Sequence, residues 1–139
     1  MRKLFAGLCL GVGVSLSAAP LLADEAWDSN FGPVIWEADF GDTAVLMLED
    51  TESGRIVRLY VDGLAADVMG GRGAYQGIWI ASAGDEACTV QVVGPDGFKS
   101  NQWGQFVITF VGEDFPSDWA GVYGTCLDTP TNAVTAVAR

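Results

Sequence analysis

The chain has 139 residues, with 18 Asp and Glu against 7 Lys and Arg and no histidine, so its net charge is −11. This charge disfavours binding to phosphate backbones and anionic lipid heads, and we expect neither nucleic acid nor a membrane surface as a partner. The lack of histidine removes the usual general base and the usual ligand of zinc, copper and non-haem iron. We therefore expect no catalytic residues, no metal site and no cofactor.

Residues 1–23 have the pattern of a secretory signal peptide. Arg2 and Lys3 precede an apolar run that ends at Leu22, and Ala23 is a small residue before an acidic segment. We expect cleavage after Ala23, with Ala19 as the alternative, which leaves one domain over 24–139 in a bacterial periplasm or the medium. No later segment resembles a membrane span. The mature domain would carry 5 basic and 18 acidic residues, a charge of −13, which suits a cationic partner.

From Pro33 onwards, short β-branched and aromatic runs alternate with Gly, Pro and Asp turns, which is typical of β-strands joined by hairpins. In the first of these runs Val34, Trp36, Ala38 and Phe40 share one predicted face. The tail at 129–139 has no firm prediction. The pattern predicts strands at 33–40, 43–48, 55–61, 74–82, 88–93, 105–111 and 119–127.

Seven or eight sequential strands with short connections predict an all-β fold, a small antiparallel up-and-down barrel, with a β-sandwich as the alternative. Cys88 and Cys126 are the cysteines left after removal of the leader, which holds Cys9. In an oxidising compartment such a pair is most simply one disulfide. The bridge would tie the last predicted strand to the middle of the sheet.

Carboxylates and tryptophans are the remaining candidates for function. Glu37 and Asp39 lie two positions apart in one predicted strand and could act as a carboxylate pair of a hydrolase. Trp103 and Trp119 lie at strand edges and are candidates for a pocket-facing role, because small barrels often line their mouths with aromatic residues. Whether an acidic loop binds calcium stays open.

One segment resembles a known family. The run 73–80, Gly-Ala-Tyr-Gln-Gly-Ile-Trp-Ile, followed by Gly-Asp-Glu-Ala at 84–87, resembles the bacterial C-type lysozyme inhibitors, which are small exported disulfide-linked barrels. The resemblance implies that Arg72, Tyr75 and Asp85 contact a partner protein. The family's loop serine falls in 70–73, where no serine stands, and its basic residue before the Gly-Asp turn falls at Ala83.

These observations predict an exported, non-catalytic binding protein that contacts a protein or a small ligand, with inhibition of a cationic hydrolase such as lysozyme as one form of that function. A structural or accessory envelope protein is the alternative, and a carboxylate-dependent hydrolase is a further one. The predicted disulfide is Cys88–Cys126. The predicted contact residues are Arg72, Tyr75, Asp85, Trp103 and Trp119.

Overall fold

A computed structural model describes residues 25–66 and 73–139 and shows an all-β protein. The predicted signal peptide with its cleavage site, and Arg72, lie outside the described residues. The described chain forms ten strands. They are β1 (Ala26–Ser29), β2 (Pro33–Phe40), β3 (Thr43–Glu49), β4 (Ile56–Val61), β5 (Ala74–Ala81), β6 (Val92–Val93), β7 (Lys99–Ser100), β8 (Trp103–Phe110), β9 (Trp119–Tyr123) and β10 (Asn132–Ala138).

Eight of these strands form a closed antiparallel barrel in the order β1-β10-β9-β8-β5-β4-β3-β2. Apart from the β1–β10 pair, each barrel strand pairs with the barrel strands that precede and follow it in the chain, and the small β6–β7 hairpin is inserted between β5 and β8. The pairing of β10 with β1 closes the ring, with Trp27 opposite Ala138 and Ser29 opposite Ala136. The predicted barrel is confirmed, and the sandwich alternative is wrong.

Alternate residues of each strand point into the barrel, as the period of two in a strand requires. The inner core contains Val57, Leu59 and Val61 of β4 and Phe106, Ile108 and Phe110 of β8. The barrel has a mouth end, formed by the turns at 30–32 and 50–55, the start of the loop after β5 and the connection at 124–131. The opposite, closed end carries the turn at 41–42, residues 62–66 after β4 and the connection at 111–118.

A β-bulge at Glu37 changes the predicted faces of β2. Trp36 pairs with Leu46 but Ala38 pairs with Val45, so one residue is extra on β2. Trp36 therefore packs against the inner core, whereas Ala38 packs outside the barrel. The prediction that Ala38 and Phe40 share the face of Trp36 is wrong, and Phe40 is 41% exposed.

A second apolar cluster lies outside the barrel wall. Residues 82–102, called the outer segment here, leave the wall after β5 and fold back over it. Val92 and Phe98 of this segment pack on an outer core of Val45, Tyr60, Ile80, Cys88 and Trp103. The outer segment thus covers one side of the barrel and gives it a second hydrophobic layer.

Asp96, in the turn of the outer segment, makes the main polar attachment to the barrel. Its carboxylate pairs with Arg58 and accepts hydrogen bonds from Tyr60 Oη at 2.8 Å and from the Phe98 amide at 3.0 Å. Burial alone would raise the pKa of Asp96, but the hydrogen bonds from Phe98, Tyr60 and Arg58 outweigh it and lower the pKa. The carboxylate is therefore held in its charged form.

The disulfide Cys88–Cys126 is present, with a Cα–Cα distance of 5.5 Å. Its position differs from the prediction, because neither cysteine lies in a strand. Cys88 belongs to the outer segment, whose regular part is only β6 and β7, and Cys126 lies in the turn after β9. The bridge therefore fastens the outer segment to the mouth end rather than joining two barrel strands. A disulfide is compatible with an oxidising, exported location.

Candidate functional site

The barrel interior contains a cavity of about 350 Å³. It extends from exposed residues at the mouth end, including Glu86 and Asn132, to residues that are buried in the inner core, including Val34 and Ile108. This volume is near the lower limit of ligand pockets, which are about 300–1,000 Å³. The cavity therefore suits a small molecule.

The inner part of the cavity wall is apolar. Its residues come from β2, β3, β4, β8 and β10. Because successive side chains of a strand point to opposite faces, the aliphatic and aromatic residues at every second position point into the barrel. Each methylene group that a ligand buries here would contribute about 0.8 kcal/mol. The wall residues are Val34, Leu48, Val57, Leu59, Phe106, Ile108 and Val134.

Gly104 makes room for the ring of Trp79 inside the barrel. A side chain at Gly104 would place its Cβ 2.6 Å from Trp79 Nε1, closer than any real Cβ contact. The Trp79 indole donates a hydrogen bond to the Gly124 carbonyl at 2.8 Å, which fixes the ring across β8 and the end of β9. Trp79 is thus held at the mouth end as a rigid part of the cavity wall.

Three aromatic rings line the cavity near the mouth end. Phe31 lies in the turn between β1 and β2, Trp79 near the end of β5, and Tyr123 at the end of β9. The centroids of Phe31 and Tyr123 are 5.7 Å apart at 80°, and those of Trp79 and Tyr123 are 6.5 Å apart at 84°. These edge-to-face contacts hold the three rings in one group, called the aromatic mouth here.

The charged residues of the cavity also lie at the mouth end. They are three acidic residues, Asp50, Asp85 and Glu86, and one basic residue, Arg55, so the net charge of the cavity lining is −2. Arg55 Nε is 3.2 Å from Asp50 Oδ2, so the single positive group is paired. Asp85 and Glu86 are exposed, and within the described residues neither makes an ion pair. The mouth is therefore acidic.

Asp50 is buried, with 7% of its surface exposed, and its carboxylate accepts several hydrogen bonds from the protein. Burial alone would raise the pKa of its carboxyl, but Ser53 Oγ, the amides of Glu52 and Ser53, and Arg55 outweigh this and lower the pKa. These contacts fix the turn between β3 and β4. Asp50 is therefore a structural anchor of the mouth.

The inner limit of the cavity contains Trp119, which is 2% exposed. Its indole Nε1 is buried without a hydrogen-bond partner. Beyond it, an aromatic cluster closes the other end of the barrel. Phe110 lies 6.2 Å from Trp27, 5.3 Å from Phe115 and 6.0 Å from Tyr75, measured between ring centroids. The cavity is therefore open at the mouth end and closed at the other.

The predicted contact residues do not lie in one place. Asp85 and Trp119 line the cavity. Tyr75 is half-buried on the inner face near the closed end, and about 20 Å of β5, at 3.3 Å per residue, separates it from the loop of Asp85. Trp103 is 6% exposed in the outer core, where its indole donates to the Val90 carbonyl at 2.9 Å. Their roles in binding stay predictions.

Glu37 and Asp39, the predicted carboxylate pair, lie outside the cavity. Glu37 is the extra residue of the bulge and is exposed, and Asp39 accepts a hydrogen bond from Trp36 Nε1 at 2.6 Å. Among residues 25–66 and 73–139, no cluster of three or more His, Cys, Asp or Glu could hold a metal ion. Over the same ranges, no helix has the length and apolar character needed to cross a membrane.

The sequence pattern does not mark Phe31, Tyr123, Asp50 or Arg55 as residues of a site. Phe31 and Tyr123 are more than 90 positions apart in the chain, and they meet only because β10 joins β9 to β1. The only available signal for them was their position at the boundary between a strand and a turn. Comparison with known proteins adds no information, because no family model, curated protein or solved structure matches the chain.

Proposed function

We propose that this protein is a non-catalytic binding protein that holds one small, largely apolar ligand in its barrel. The observation that carries the proposal is the cavity of about 350 Å³, whose inner wall is apolar and which is open at one end. Protein interiors are normally packed with few voids larger than a water molecule. A cavity of this size inside a barrel is suited to a ligand.

The surroundings of the cavity support binding rather than catalysis. The buried carboxylate at its mouth, Asp50, is fixed in a turn by four hydrogen bonds. The whole chain has no histidine, and both described cysteines are joined in the disulfide. Assembly through strand edges is also disfavoured for the eight barrel strands, because each pairs on both sides.

The test is a homologous series of 1-alkanols, with binding measured by calorimetry and by the change in tryptophan fluorescence. If the tail enters the cavity, the affinity rises about four-fold for each added methylene, from about 0.8 kcal/mol per group. The rise should stop when the cavity is full. The proposal would be contradicted if no alkanol binds. It would also be contradicted if the affinity keeps rising with chain length beyond the size of the cavity, as it does in nonspecific adsorption of detergents.

A pair of variants on β10 identifies the place of binding. Val134 lines the cavity, whereas Val137 points outward and is 58% exposed. Val134→Trp fills part of the cavity and should weaken binding by about ten-fold or more, and Val137→Trp adds the same ring on the outside and should change nothing. Equal effects of the two variants would place the ligand elsewhere.

Inhibition of a cationic hydrolase such as lysozyme is the second candidate. It is favoured by the exposure of Asp85 and Glu86 on one loop of an acidic protein. Lysozyme activity measured with and without the protein at physiological salt tests this function. Loss of activity that depends on Asp85 would support it, and unchanged activity at micromolar protein would exclude it.

A further inference from the structure

The aromatic mouth and the two exposed carboxylates narrow the ligand class. We propose that the ligand is an amphipathic ammonium compound, with its cationic head at the aromatic mouth and its apolar tail in the cavity. This inference rests on the proposed function, because it assigns the head of the ligand whose tail occupies the barrel.

The rings provide the first argument. A quaternary or protonated ammonium group is attracted to the faces of aromatic rings within about 6 Å of the ring centre. Phe31, Trp79 and Tyr123 all line the cavity near its mouth, and their edge-to-face contacts turn the planes of neighbouring rings by 80° and 84°. Rings at such angles can present faces to one group from different sides, as in cages for methylated ammonium ions.

The charges provide the second, independent argument. The charged residues that line the cavity sum to −2, and the one cation among them, Arg55, is already paired with Asp50. Asp85 and Glu86 therefore attract a cation to the mouth and repel a carboxylate or phosphate head. The net charge of −11 for the whole chain has the same sign.

The depth of the cavity separates the two ends of the ligand. The carboxylates are exposed at the mouth, whereas the inner wall residues Val34, Leu59 and Ile108 have no charge and are at most 9% exposed. Burying an unpaired ammonium group among them would be strongly unfavourable. The head must therefore remain at the mouth, and only the tail can enter.

Three probes with one tail test this inference: hexyltrimethylammonium, 1-hexanol and hexanoate. We expect the ammonium compound to bind about five-fold or more tightly than the alcohol, and hexanoate to bind more weakly than either. Raising the salt concentration should weaken the binding of the ammonium compound but not the binding of the alcohol. Equal binding of ammonium and alcohol would overturn the inference and leave the proposed function intact, whereas no binding of any probe would overturn both.

Variants locate the head. Asp85→Asn with Glu86→Gln removes two exposed charges without changing size, and it should reduce the preference for ammonium over alcohol by about five-fold. The matched control is Glu113→Gln with Asp114→Asn, which makes the same charge change on exposed residues at the closed end and should have little effect. Phe31→Leu should lower the same preference by removing one ring. An unchanged preference in both mouth variants would overturn the assignment.

Discussion

Asp96→Ala removes the carboxylate that attaches the outer segment to the barrel. The side chain of Asp96 is 8% exposed and that of Arg58 is 27% exposed, so the variant leaves a largely buried guanidinium without its partner. The hydroxyl of Tyr60 and the amide of Phe98 also lose their acceptor. Breaking a buried ion pair from one side costs about 3–5 kcal/mol, and the partial exposure of Arg58 favours the lower end, about 3 kcal/mol.

The assay is urea denaturation at pH 7, followed by tryptophan fluorescence and by far-ultraviolet circular dichroism. With a slope of about 2 kcal/mol per molar urea, the midpoint should fall by about 1.5 M. The matched control is Asp28→Ala, which breaks the exposed ion pair with Arg139, where the two side chains are 66% and 50% exposed. This control should leave the midpoint unchanged within error, because exposed pairs contribute little.

The same carboxylate predicts an acid dependence. Because the pKa of Asp96 is lowered in the folded protein, its contribution to stability is present above about pH 4 and is lost as the pH falls further. Asp96→Asn should therefore lose less stability than the unmodified protein between pH 5 and about pH 2. Equal midpoints for Asp96→Ala and Asp28→Ala, or an unchanged acid dependence in Asp96→Asn, would refute the view that this contact holds the outer segment.

Three further predictions concern the same layer of the molecule. Replacing both Cys88 and Cys126 by Ala should lower the free energy of unfolding by about 4 kcal/mol, because the disulfide closes a loop with a sequence separation of 38. Thermal melting of the variant, and of the unmodified protein with and without reductant, checks this. The pKa of Tyr60 is raised, first by burial and then by Asp96, so stability should fall as the pH rises above about 10, and Tyr60→Phe should remove part of that fall. Gly94→Ala should destabilise the protein by about 1–3 kcal/mol in chemical denaturation, because its Cβ would lie 2.3 Å from Tyr60 Cζ, while an unaffected midpoint would show that the outer segment can move away freely.

Most of the barrel could be predicted from the sequence because strands β2 to β5 and β8 carry strong β-branched and aromatic runs. The two strands that close the barrel could not. β1 has only four residues, and β10 consists mainly of Ala, Val and Thr without an aromatic residue. What makes them strands is their pairing with each other across the length of the chain, and local patterns do not report such a contact.

The candidate site was less predictable than the fold, although one placement follows from strand geometry. Phe106, Ile108 and Phe110 occupy every second position of the predicted strand 105–111, and they point inward. β8 begins at Trp103, two residues before the predicted start. Because side chains alternate between the two faces of a strand, Trp103 must point outward when Phe106 points inward, and it lies in the outer core. By contrast, the meeting of Phe31 with Tyr123 depends on barrel closure, and no local feature reports it.

The closure of the barrel by β1 and β10 also determines how the protein can be tethered. Ala26 and Arg139 are adjacent, with the Arg139 amide donating to the Ala26 carbonyl at 3.0 Å, and both lie at the closed end. The main chain at Ala26 and at Arg139 therefore lies on the side opposite the mouth. Immobilisation through a tag joined to Arg139 should leave the cavity accessible, and a short linker from Arg139 to Ala26 should permit circular permutation with new ends in an exposed turn.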